Sequence, residues 1–120
     1  MHRRSLLAAV LGGVPLAAAW GQEYPSRPVK VVVGFPPGGG TDLVARPLAA
    51  KVQSLLGQSF VVDNRGGANG GVGLELVAKS PPDGYTIAHV NSSVVVTNPL
   101  LYRSLTTNVE RDLAPICTVA

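Results

Sequence analysis

Three short stretches hold the groups best suited to gripping a small anion. The first, Gly34-Phe35-Pro36-Pro37-Gly38-Gly39-Gly40-Thr41, has the spacing of a phosphate-binding loop, except that Gly40 stands where the lysine belongs. Without that cation the β- and γ-phosphates of a nucleotide stay unneutralised, which argues against nucleotide hydrolysis. The backbone remains useful: glycines let amide N–H groups approach closely, and a following helix N-terminus favours an anion such as a carboxylate. A tight structural turn would use the same glycines, and this segment alone does not separate the two. The second stretch, Gly66-Gly67-Ala68-Asn69-Gly70-Gly71-Val72-Gly73, lacks the register of a dinucleotide fingerprint but could act as another backbone-amide loop. The third, Asn91-Ser92-Ser93, offers hydroxyl and amide groups that reach a carboxylate directly or through water; helix capping would employ them equally well.

Groups for covalent or acid–base chemistry are scarce. His2 belongs to an N-terminal leader, and His89 falls within an apolar run and reads as packed. There is no G-x-S-x-G elbow and no Cys/His pair at metal spacing. Cys117, in Pro115-Ile116-Cys117-Thr118-Val119, reads as a small buried residue. No cofactor is implied, and an enzyme has little to work with.

The elements that must position these loops follow a repeating order. Val29–Phe35 is nearly continuous in valine, as expected of a parallel strand buried on both faces. Thr41 is then suited to cap a helix, with Asp42 in its first turn. Val44, Leu48, Val52 and Leu55 repeat at helical spacing and predict the buried stripe, and Gly57 closes the helix. Pro47 lies inside it and is expected to bend it. Phe60–Asp63 reads as a second strand, followed by a helix carrying Leu74, Val77 and Ala78. Pro81-Pro82 and Asp83-Gly84 turn the chain into a third strand, Tyr85–Val90. Val94–Val96 is ambiguous, Asn98-Pro99 starts a brief helix, and Ile116–Ala120 reads as the opening of a further strand.

Such β-loop-α repeats predict an α/β fold, with a mainly parallel sheet and helices on both faces. All three loops follow the carboxyl ends of strands, so they should converge on one edge, where ligands sit in open sheets of this kind.

Composition agrees with an exported domain. The 120 residues are 46% hydrophobic and 14% charged, with a net charge of +3, which excludes a disordered chain. His2-Arg3-Arg4, an apolar run from Ser5 to Ala19 and the small-residue exit Ala19-Trp20-Gly21 predict a signal peptide over residues 1–21. Its apolar stretch of roughly 14 residues is short of a membrane span. Arg3-Arg4 also fits twin-arginine export, although a general secretory leader is the simpler reading. Losing both arginines takes the net charge from +3 to +1, which removes the case for a nucleic-acid partner.

Several ordered motifs carry a more specific signal. Tyr24-Pro25-Ser26-Arg27-Pro28-Val29, Phe35-Pro36-Pro37-Gly38-Gly39-Gly40-Thr41-Asp42, Val62-Asp63-Asn64-Arg65, Gly70-Gly71-Val72-Gly73, Pro82-Asp83-Gly84-Tyr85-Thr86 and Asn98-Pro99-Leu100-Leu101-Tyr102 closely resemble, in order and spacing, the start of the Bug family. These are periplasmic solute receptors of tripartite tricarboxylate transporters. Thr106-Thr107-Asn108 departs from the family's usual turn, and Gly66 stands where proline often follows the arginine.

The resemblance implies a two-lobed type II periplasmic-binding-protein fold that holds a small carboxylate, largely through main-chain amides and water. Carried over by position, the binding residues are Phe35, Pro37, Gly38, Gly39, Thr41 and Asp42 in the first loop. Gly67, Ala68, Asn69 and Gly70 follow in the second, and Asn91, Ser92 and Ser93 in the third. Residues 22–115 would form part of the first lobe and 116–120 the start of the crossover to a second, so the sheet is expected to be incomplete in this chain. The implied partner is a membrane permease; a sensor protein, or an inactive fragment, is the alternative.

Overall fold

A computed structural model describes residue 21 and residues 23–119. The signal peptide expected over 1–21 therefore lies, Gly21 apart, outside the described residues. β1 (Val29–Val33), β2 (Phe60–Asn64) and β3 (Thr86–His89) form one parallel sheet in the order β2-β1-β3. The central strand is the valine run: Val29, Val31, Val32 and Val33 are all buried. Each such side chain contributes roughly 1.5 to 3 kcal/mol relative to exposure.

Helices cover both faces. α1 (Gly40–Leu56) lies over β1 and β2, and α2 (Gly71–Ala78) crosses the other face, where Gly73 sits against Val32 and Gly34. Because side chains alternate along a strand, Val32 faces α2 while Val29, Val31 and Val33 face α1. A π-helical segment (Ser93–Thr97) runs straight into α3 (Asn98–Leu101), and a last short helix, α4, spans Val109–Asp112. That last helix had no sequence expectation. Asn108 caps it, accepting from the Arg111 N–H at 3.0 Å while Asp112 accepts from the Asn108 N–H at 2.9 Å.

Several expectations need correction. α1 is capped by Gly39 rather than Thr41, because the glycine run lets the helix begin two residues sooner. Its sheet-facing residues are Asp42, Ala45 and Ala49, whereas Val44, Leu48 and Leu55 of the expected stripe are exposed. Alanines allow a close approach to the sheet, which leaves the bulkier stripe rotated off it. The helix runs on through Pro47. Pro47 and Leu43, whose carbonyl the proline leaves without an N–H, are both exposed, so water can satisfy it. α3 begins at Asn98 with Pro99 in its first turn, as expected, but Asn98 is not its cap: it is buried and continues the π-helical run before it. Residues 113–119 are irregular rather than strand, and Cys117 is exposed rather than buried.

Candidate functional site

The parallel register places the carboxyl ends of the strands side by side, with Val33 opposite both Asn64 and His89. The three loops thus leave the same edge. Chain order reverses at β1, which has β2 on one side and β3 on the other, so the switch point lies between β1 and β3. A crevice of about 650 Å³ opens there. Its walls are Gly40, Thr41 and Val44 of α1, the end of β3 from Ala88 to Ser92, and residues 117–119. A smaller cavity of about 260 Å³ between α1 and β2 lies away from the loops and is lined by Ala49, Gln53 and Phe60 among others.

The first loop is held from beneath by a buried carboxylate. Asp42 is 1% exposed. One of its oxygens accepts from the Gly38 N–H at 2.9 Å and from Arg46 Nε at 2.7 Å; the other accepts from Asn64 Nδ2 at 2.9 Å. Asn64 Nδ2 also donates to the Phe35 carbonyl at 2.9 Å, and Arg46 donates to Asn64 Oδ1 at 3.0 Å. These donors, Arg46 foremost, outweigh burial and hold the Asp42 carboxyl down at about 2. Asp42 and Arg46 together form a pair of zero net charge beneath the first turn of α1. The Gly38 amide is thereby spent internally, and Gly39 N–H turns back to the Pro36 carbonyl at 3.4 Å. The amides with no intrahelical acceptor are those of the first turn, Gly40, Thr41 and Asp42.

The second loop crosses the top of β1 to reach the segment after β3. Its 3-10 turn (Ala68–Gly70) carries two left-handed non-glycine residues, Ala68 at φ 48° and Asn69 at φ 50°. Asn98 pins them: its Nδ2 donates to the Asn69 carbonyl at 3.0 Å and the Ala68 carbonyl at 3.4 Å, while its Oδ1 accepts from Asn69 Nδ2 at 2.8 Å. Gly70 is buried where a Cβ would lie 2.7 Å from Val94 and 3.2 Å from the Phe35 ring. A Cβ on Gly34 would in turn sit 2.6 Å from the Gly70 Cα. Backbone meets backbone here, which only glycine permits.

In the third loop Asn91 Oδ1 accepts from Ser93 Oγ at 2.7 Å and from the Val94 N–H at 3.3 Å, so this asparagine does cap the helical run that follows. Asn69 Nδ2 approaches Ser93 Oγ at 3.5 Å, joining the second and third loops.

Of the expected residues, then, Thr41, Asn91 and Ser92 line the crevice. Phe35 and Gly70 meet above β1, and Asn69 and Ser93 link two loops. Pro37, Gly38 and Gly39 sit on the exposed crest of the first loop, Gly67 and Ala68 on that of the second, and Asp42 is turned inward. Sequence reasoning missed Gly34, Asn64 and Asn98 as supports and Val44 and His89 as lining. A polar residue at a strand's carboxyl end was the available signal for Asn64 and His89. Among the described residues, no cluster of three or more His, Cys, Asp or Glu side chains could hold a metal ion.

A parallel sheet with helices on both faces and a loop-built crevice at its switch point is the architecture of a periplasmic-binding-protein lobe, and solved structures agree. The chain superposes on Rpa4515 of R. palustris, solved with adipate, at a TM-score of 0.69 and 43% identity, over 72% of this chain and 29% of that one. MatC of Rhodopseudomonas palustris, with bound malate, gives 0.53 at 43% identity, over 54% and 22%. Residues 44–120 match the tripartite tricarboxylate transporter family receptor, TctC, and the chain belongs to that family. BugT of Bordetella pertussis is 46% identical over 126 residues, covering 99% of this chain and 38% of BugT. The chain spans only 28% to 38% of the length of the curated relatives it matches, 36% of one from Bordetella bronchiseptica and 38% of BugT.

Proposed function

We propose that this chain contributes one wall of a cleft that captures a small carboxylated solute in the periplasm and delivers it to the membrane permease of a tripartite tricarboxylate transporter. The supporting observation is the crevice at the switch point, where Gly40 and Thr41 of the first turn of α1 share the lining with Asn91 and Ser92, and where the Asp42 charge is neutralised by Arg46. Helix N-terminal amides favour an anion, and a neutral pair beneath them does not repel one. The adipate- and malate-bound relatives support the solute class.

In this reading the contacts come from Phe35, Pro37, Gly38, Gly39 and Thr41, from Gly67, Ala68 and Asn69, and from Asn91, Ser92 and Ser93, while Asp42 and Gly70 hold the loops that carry them. Residues 1–21 direct export, 22–115 belong to the first lobe, and 116–120 lead towards a second. Capture and release need no chemistry, and the family relatives are receptors. Among the described residues no helix is long and apolar enough to cross a membrane. Titration calorimetry of the full-length protein against mono-, di- and tricarboxylates tests the reading. Saturable heat from at least one is expected; heat from none, with the protein folded, overturns it.

A further inference from the structure

His89 occupies a position that the anion-binding loops do not explain. Residues in register on neighbouring parallel strands project to the same face, so Asn64, Val33 and His89 form a row across the sheet on the side of α1. At one end of that row Asn64 bonds Asp42. At the other, His89 borders the crevice beside Thr41 and Val44.

The charged groups nearby are committed elsewhere. On α1, the Asp42 carboxylate is engaged by Gly38, Arg46 and Asn64, and Arg46 reaches to the Asn64 end of the row. On β1, Lys30 alternates to the α2 face and lies 3.9 Å from Asp63 of β2, which also pairs with Arg65. From the C-terminal segment the titratable neighbour is Cys117. Among the described residues lining the crevice, none is Asp, Glu, Lys or Arg, so the imidazole is the side chain there able to become a cation. Burial pushes it below its usual value, which favours the neutral ring.

We propose that His89 couples solute capture to proton uptake: the ring gains a proton as an anionic solute enters, and the resulting imidazolium faces the solute's carboxylate. This deepens the carboxylate-capture reading and rests on it. Linkage then requires affinity to rise as pH falls, because the bound state holds more protons than the free state. It also makes His89 a determinant of solute charge, favouring the carboxylate over a neutral amide of the same shape.

Calorimetry of the full-length protein with malate and with adipate tests this between pH 6.5 and 8.5, where both carboxyl groups of each acid are ionised. Two buffers of different ionisation enthalpy report the protons taken up. The wild type is expected to take up a fraction of a proton and to bind up to about tenfold more weakly at the alkaline end. His89→Gln should abolish both the uptake and the slope while still binding at pH 8.5. Wild-type heats independent of buffer, or a His89→Gln variant with an unchanged slope, overturn the proposal while leaving carboxylate capture intact. The wild-type measurement decides even if the variant fails to fold. Absence of binding by either acid or by any other carboxylate, at any pH, overturns the underlying reading together with the coupling.

Discussion

The two ends of the sheet are built on opposite principles. At the amino ends of β1 and β3, side chains lock the chain to itself. Tyr24 donates its hydroxyl to the Gly84 carbonyl at 2.6 Å, the Ser26 N–H donates to the Tyr85 hydroxyl at 2.9 Å, and Arg27 pairs with Asp83 at 2.9 Å. The Arg27 guanidinium also lies 4.0 Å from the centre of the Tyr85 ring, which meets Tyr24 edge-on at 5.2 Å. The Tyr24–Pro28 and Asp83–Tyr85 motifs thus fasten one another. At the carboxyl ends, glycine backbones touch, and the buried polar side chains Asp42 and Asn98 are spent holding loops. One end closes by consuming its polar groups. The other buries its side-chain acceptors and sets the first turn of α1 at the rim of a crevice whose lining, among the described residues, carries no Asp or Glu to repel an anion. Variants at the loop edge should therefore damage binding and folding together, and variants at the fastened edge should touch folding alone.

The largest effect is expected from Gly34→Val. Its Cβ would sit 2.6 Å from the Gly70 Cα and 2.7 Å from the Gly70 oxygen, both backbone atoms that cannot swing away. A cost of about 3 kcal/mol, near the upper end for overpacking, is expected in urea unfolding, with loss of solute affinity because the first and second loops separate. A variant of wild-type stability would show that the two backbones part easily and would remove the close contact as an organising feature.

Asn98→Ala comes next. It leaves the carbonyls of Ala68 and Asn69 and the Asn69 amide without their partner, at a cost of about 2 kcal/mol. The left-handed Ala68–Asn69 pair also loses its restraint, so affinity should fall more than for a surface substitution of equal instability. Matching Asn98→Ala against such a surface variant by unfolding and calorimetry separates the two contributions.

The strands and the shared loop edge were legible in the sequence, because the valine run and the glycine breaks each have one economical explanation. What escaped was the direction of particular side chains. Asp42 in a first helical turn reads as a dipole partner and, by resemblance, as a binding residue, and nothing local reveals that Asn64, twenty-two residues on, draws it inward. Asn98 before Pro99 has the form of a helix start, and only the long-range contact with the second loop makes it a crosslink. The apolar stripe of α1 is real but lies off the sheet, since periodicity counts apolar residues and does not register that Ala45 and Ala49 pack closer. Cys117 reads as buried because its run is apolar, but an apolar run of this length packs only where an element covers it, and residues 113–119 are irregular with Cys117 exposed.

Arg27→Ala probes the fastened edge. The ion pair is exposed, with side chains 60% and 41% accessible, so together with the ring contact it contributes on the order of 1 kcal/mol. The loss should shrink in high salt, which screens the ion pair. Carboxylate affinity should be unchanged, because the substitution lies at the opposite end of the strands. A change in affinity comparable to that of Asn98→Ala would break the division between the two ends.

The sharpest test of the inward carboxylate is the acid limb of stability. Asp42 has its proton affinity lowered from 3.8 to about 2 by Arg46, the Gly38 amide and Asn64. A depressed folded-state value means the unfolded chain binds protons first as pH falls. The stabilisation is therefore present in full above about pH 4 and is lost progressively towards pH 2. Asp112, held down to about 2 chiefly by Arg111, titrates in the same window, so the two must be separated. Salt helps to do this, because the Asp112 side chain is 23% accessible and its Arg111 partner 71%, against 2% for Asp42 and 51% for Arg46, so the Asp112 pair is screened more. Unfolding midpoints measured from pH 5 to pH 2 in high salt should fall less steeply for Asp42→Asn than for the wild type, and Asp112→Asn should follow the wild-type slope. If Asp42→Asn retains that slope, its carboxylate does not hold the first loop through its charge. The loop edge would then be maintained by glycine packing and the Asn98 crosslink alone.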